Sequence, residues 1–197
     1  MYLLFLLLLN IQCGKSQESI EKCKEAFTKA TQQINSYQID KDKNRLEKAL
    51  DYLEVSVACE KTKLTSIELK ISILNTLDAY EKNILFIESL KIEDFDKPYK
   101  KDMYLNFVKS KHCQDKINCR EKYLREILSS IDNYIKEVRF FDESVYYDLF
   151  TIKAEILSEK ELSEDIQNII KQYPEQREFL ETLEFTLIEK EQISVSE

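Results

Sequence analysis

Cys23, Cys59, Cys113 and Cys119, with the chain's single histidine, His112, are the residues whose types and spacing offer the most chemistry. Thiols form disulfides, bind metals or act as nucleophiles. The spacing favours disulfides. Cys23 and Cys59 lie equidistant from position 41, inside the polar stretch Ile39-Asp40-Lys41-Asp42-Lys43. In an antiparallel helix pair, residues equidistant from the turn face one another. Cys113 and Cys119 likewise flank the short polar link Gln114-Asp115-Lys116-Ile117-Asn118. Either bridge is worth about 2–4 kcal/mol. Free buried thiols and a metal site beside His112 are the alternatives. One histidine and scattered cysteines lack the paired C-x₂-C spacing of zinc modules, so no metal is expected. A Cys–His nucleophile would have to use His112, and its neighbour Cys113 points away from it on a helix. His112 reads as a surface residue near a helix end.

Other catalytic groups are hard to assemble. The one glycine, Gly14, lies near the N-terminus, so the rest of the chain has no nucleophile elbow, phosphate-cradling loop or dinucleotide fingerprint. Glu-x-x-His pairs of the di-iron kind are absent. Thirty-seven acidic residues could supply a carboxylate pair for glycan hydrolysis, but none stands out from helix-surface charge. The expectation is a protein without catalysis and without a cofactor. A net charge of −8 argues against nucleic acid, whose phosphates need Lys/Arg patches.

Cys13 stands apart from the other cysteines. It follows the apolar run Met1–Leu9 and the short stretch Asn10-Ile11-Gln12. A membrane-crossing helix needs about 20 apolar residues, whereas this run has the length of a signal-peptide core. MYLLFLLLLNIQC resembles the signal of a bacterial lipoprotein, in which cleavage precedes a cysteine that is then acylated, with palmitate among the usual chains. The resemblance implies a signal peptide over 1–12, a lipidated tether over 13–17 and a folded domain over 18–197. It also implies a cell-envelope location, periplasmic or cell-surface, with the membrane reached through the lipid on Cys13. The alternatives are an uncleaved anchor, a secreted form, or a cytoplasmic domain with Cys13 in its core.

The elements that must hold these residues are helices. Leu, Ile, Glu and Lys dominate, and there are only two prolines, Pro98 and Pro174. Apolar residues keep i, i+3, i+4 spacing. Ala26, Ala30 and Ile34 stripe a first helix near 16–36, and Leu46, Leu50, Leu53 and Val57 a second over 44–60. Further helices are predicted over 63–77, 79–92, 98–111, 119–138, 143–158, 164–173 and 175–191. Asn44, Asp78 and Asn118, each with Glu three residues on, mark three predicted starts, and Ser163 a fourth. The result is an all-α chain of four helix pairs and a final helix.

Leu69–Asp94, LKISILNTLDAYEKNILFIESLKIED, resembles the tetratricopeptide-repeat family. Leu74 and Leu77 stand where its first helix packs, Asp78-Ala79-Tyr80 resembles its tight turn, and Ile84, Ile87 and Leu90 resemble its second helix. Tyr147–Pro174 is a second stretch of this kind, through Ala154, Ile166, Ile170, Tyr173 and Pro174. The resemblance implies a right-handed superhelix of about four hairpins with a C-terminal capping helix; an irregular helical bundle is the alternative. It further implies a protein or peptide ligand gripped in a concave groove.

Tyr80, Tyr104, Phe140, Phe141, Tyr146 and Tyr147 are candidate partner-binding aromatics; core packing accounts for them equally well. The functional expectation is a membrane-anchored, non-catalytic protein-interaction scaffold. The alternative is an immunity or inhibitor lipoprotein that captures a basic secreted toxin by electrostatic steering.

Overall fold

The computed structural model describes residues 2–113 and 116–194, with side chains described for 20–113 and 116–188. Among the described residues it is all-helical, with no strand. Helices α1 (Tyr2–Asp40), α2 (Lys43–Val57), α3 (Lys63–Thr76) and α4 (Tyr80–Ser89) lie in a first compact unit, Met1–Asp96. Helices α5 (Lys100–His112), α6 (Ile117–Val138), α7 (Glu143–Ala154), α8 (Glu159–Gln172) and α9 (Arg177–Ser194) lie in a second, Lys97–Glu197. Among the described residues no helix is long and apolar enough to cross a membrane. The side chain of Cys13, the expected acylation site, lies outside the described residues.

In the first unit α1 packs on α2, α2 on α3 and α3 on α4. Ala30 and Ala49 are fully buried, and such small residues let α1 and α2 approach closely around Leu46 and Leu53. Cys23 and Cys59 are disulfide-bonded across this pair, with Cα atoms 6.0 Å apart, which is the pairing that symmetry about position 41 singles out. In the second unit α5 packs on α6, α6 on α7, α7 on both α8 and α9, and α8 on α9. Phe150, Ile127, Ile131, Ile166 and Leu180 form its fully buried centre. Cys113 and Cys119 join the end of α5 to the first turn of α6. Both tetratricopeptide-like stretches are helix–turn–helix: α3 into α4, and α7 into α8.

Several helix starts differ from the sequence expectation, and each difference has a local cause. Asp42, not Asn44, caps α2, its Oδ1 accepting from the Asn44 amide at 3.0 Å. Asn118 lies inside the first turn of α6 and caps nothing. Helix α8 begins after Ser158, not Ser163. Ser158 and Glu161 form a capping box, Glu161 Oε2 accepting from the Ser158 amide at 2.9 Å. Asp78 is not a cap but the left-handed residue that ends α3, with φ 55°. The Ala79 amide donates to Leu74 O at 2.9 Å and the Asp78 amide to Asn75 O at 3.0 Å. These two bonds define a Schellman ending, with Asp where glycine is usual.

Candidate functional site

The turn at Asp78 has a consequence for the face that α2, α3 and α4 share. It brings α4 back along α3, and α3 in turn lies along α2. The three helices enclose an open groove of about 710 Å³ within the first unit. Leu50, Leu74, Leu77 and Ala79 supply an apolar floor, and Phe86 adds an aromatic ring to the lining.

The α2 wall carries Glu47, Asp51 and Glu54 at i, i+4 and i+7, one stripe along the helix. Glu54 binds the Lys70 ammonium. Lys70 is 8% exposed, and its Nζ also sits 4.1 Å from the centre of the Phe86 ring. The ion pair and the aromatic face together compensate a cation removed from water. Glu47, Asp51, Lys43 and Lys82 are exposed groove residues that make no ion pair among the described residues. Lys43 and Lys82 lie in the first turns of α2 and α4, Lys82 one turn before Phe86. The groove is therefore polarised along its length. It is cationic where α2 and α4 begin, anionic along the middle of α2, and neutralised at the Glu54–Lys70 pair.

Under the floor, polar groups are bonded between helices, the buried Asn83 Oδ1 being left without a hydrogen bond. Asn83, fully buried, donates from Nδ2 to Ile71 O at 2.9 Å and to Asn75 Oδ1 at 3.1 Å. Ser56 and Ser66 hydroxyls meet 2.6 Å apart between α2 and α3. These bonds fix the register of the three helices that form the groove.

None of the six candidate aromatics lines this groove. Tyr146 is 3% exposed, and Phe141 stacks on it with ring centroids 4.3 Å apart. Phe141 also meets Tyr173 and Phe179. Core packing, the alternative open for these aromatics, describes Phe141 and Tyr146, whose rings lie in the core of the second unit. Burial and the Tyr173 hydroxyl push the Tyr146 phenol far above its ordinary pKa. Tyr104 packs against the same core, with Lys100 Nζ 5.8 Å from its ring. Tyr80 is half-buried and donates to Asp78 Oδ1 at 2.8 Å, and this hydrogen bond raises its pKa. Only Phe140 and Tyr147 remain outward, 59% and 50% exposed.

Sequence reasoning missed Lys70 and the α2 carboxylates as a site. The signal was present. Lys70 interrupts the apolar stripe of Ile67, Ile71 and Leu74, and Glu47, Asp51 and Glu54 run beside the stripe of Leu46, Leu50 and Leu53. Among the described residues no group of three or more His, Cys, Asp or Glu side chains is placed to hold a metal ion. In comparisons with known proteins, no family model, no curated protein and no solved structure matches this chain.

Proposed function

We propose that this chain is a non-catalytic protein-interaction module, tethered to a membrane of the bacterial envelope by acylated Cys13, which grips a protein or peptide segment in the groove of α2, α3 and α4. In this reading successive hairpins stack as a tetratricopeptide-like superhelix, and the groove is part of its concave face. The observation that carries the reading is the groove itself: an apolar floor between two helical walls on which Lys43, Glu47, Asp51 and Lys82 are exposed and make no ion pair among the described residues. An apolar floor supplies binding energy, and rim charges select the ligand.

The test is a photo-reactive amino acid placed at Lys82, on the groove, and separately at Lys48, an exposed residue of α2 outside it. A discrete adduct in cells from position 82 and none from 48 is expected. Equal labelling, or none, removes the groove from the function. The anchor is tested separately: Cys13→Ala moves the protein from the membrane to the soluble fraction, and retention at the membrane rejects acylation.

One observation favours the second reading, capture of a basic toxin. Residues 143–197 hold 14 acidic and 5 basic side chains, and Phe185 of α9 is 61% exposed among Glu178, Glu181 and Thr182. A basic partner would associate quickly with such a surface and lose that advantage in salt.

A further inference from the structure

We infer that the occupant of the α2–α3–α4 groove is an amphipathic helix of a partner protein bearing charges of both signs. It carries an apolar stripe, basic side chains over Glu47 and Asp51, and an acidic turn over Lys43 and Lys82. The inference rests on the groove being a protein-binding site and adds the chemistry of what enters it.

Three features select this occupant. First, the apolar floor runs lengthwise, from Leu77 and Ala79 at one end, through Leu74 and Leu50, to Phe86 at the other. A stripe at i, i+3, i+4, i+7 fills such a floor, as in other helix-in-groove contacts. Secondly, the rim charges are ordered. Glu47 and Asp51 are one turn apart on α2, so basic side chains one turn apart on a docked helix meet both. Lys43 and Lys82 both line the groove from the first turns of α2 and α4. Acidic groups there gain from both ammonium groups and from the positive N-terminal ends of the two helices. Thirdly, the far end is already neutral. Glu54 and Lys70 satisfy each other, and Phe86 lies beneath the ammonium. That end admits an apolar side chain and gives no advantage to a further charge.

A ligand of one sign is disfavoured by the same arrangement. A wholly basic helix places cations on Lys43 and Lys82, and a wholly acidic one places anions on Glu47 and Asp51. Each mismatch replaces an attraction with a repulsion at the rim.

The experiment uses the full 197-residue chain and three fluorescent peptides of two-sign, all-basic and all-acidic flanks, with an identical leucine stripe. Anisotropy at low salt is expected to show the two-sign peptide binding about tenfold more tightly than either other, given several rim pairs of modest individual strength. Glu47→Lys with Asp51→Lys should transfer the preference to the all-acidic peptide. Lys43→Glu with Lys82→Glu should transfer it to the all-basic peptide. All four positions are exposed, so folding is not at stake. If the three peptides bind equally, or the swaps leave the order unchanged, the charge chemistry is wrong and the groove remains a binding site. If no peptide binds, and Ala79→Arg in the groove floor leaves cellular cross-linking from position 82 intact, the groove reading itself falls.

Discussion

The two compact units use the same helical grammar for different ends. In the second, side chains are committed to one another. Phe141, Tyr146, Tyr173 and Phe179 interlock, and Tyr99 and Lys100 both bind Asp148, at 2.7 Å each. Lys111 and Arg120 converge on Glu155. In the first unit the apolar contacts between α1 and α2 are small, built on Ala30 and Ala49, and on the open side of α2–α3–α4 the exposed Lys43, Glu47, Asp51 and Lys82 make no ion pair among the described residues. Large aromatic side chains draw attention in the sequence, yet here they mostly close a core, while an unremarkable Leu/Lys/Glu face is left open.

The largest effect that would test this contrast is aromatic truncation. Phe150→Ala, at a fully buried site, should lower stability by about 3–5 kcal/mol in urea denaturation. Phe86→Ala, half-buried on the groove, should cost less than half as much while weakening ligand binding. Equal losses would mean that Phe86 is as structural as Phe150, and the contrast between units would fail.

The two units also differ in the length of chain their disulfides close. Cys23–Cys59 spans 36 positions and Cys113–Cys119 spans 6. Closing the longer loop removes more freedom from the unfolded chain. Cys23→Ser with Cys59→Ser should therefore cost about 4 kcal/mol, against about 2 kcal/mol for the pair in the second unit. The reverse order, read from urea midpoints of the two double variants, would show that native packing outweighs loop closure.

Each unit also has a carboxylate held below its ordinary pKa. The Lys63 ammonium, 2.5 Å away, holds Asp94 down, helped by the Lys91 amide. At Asp142 burial pushes the other way, but the Ser144 hydroxyl and amide and the Lys97 ammonium together outweigh it. A group with a depressed folded pKa stabilises the native state above its unfolded pKa, near 3.9 for Asp. That stability is lost as pH falls through the lower folded value. Both units should thus lose stability below about pH 4. Asp94→Asn should flatten the acid limb in the first unit alone, as read by hydrogen exchange of α3 amides.

Much of the architecture was legible because it rests on periodicity. Each of the nine α-helices among the described residues contains a predicted apolar stripe, though α1 spans Tyr2–Asp40 where 16–36 is expected, and the turn at 40–42 predicts the Cys23–Cys59 bridge. Helix starts were less legible, since a cap depends on backbone angles that neighbouring residues compete for. Asp42 outcompetes Asn44, and the Ser158–Glu161 box pre-empts Ser163. The groove was legible only in pieces, as Lys70 interrupting an apolar stripe and the carboxylates running beside another. Its walls come from two helices separated by a third, and no local pattern tells that Lys82 and Glu47 share one opening.

The smallest effect concerns helix ends where a residue other than glycine takes a left-handed backbone. Three non-glycine residues take left-handed backbone at helix ends: Lys41 and Asp78 in the first unit and Arg139 in the second, all near φ 55°. An L-residue pays about 1–2 kcal/mol there, and glycine recovers this less its own greater unfolded freedom of about 0.5–1 kcal/mol. Lys41→Gly and Arg139→Gly should each raise stability, by up to about 1 kcal/mol. Asp78→Gly should gain less, because Asp78 also accepts the Tyr80 hydroxyl and positions the start of α4. If Asp78→Gly leaves stability unchanged but weakens peptide binding, the turn is kept for the geometry of the groove. If it stabilises as much as the other two and binding is unaffected, Asp78 is an ordinary strained helix end, and the groove does not depend on it.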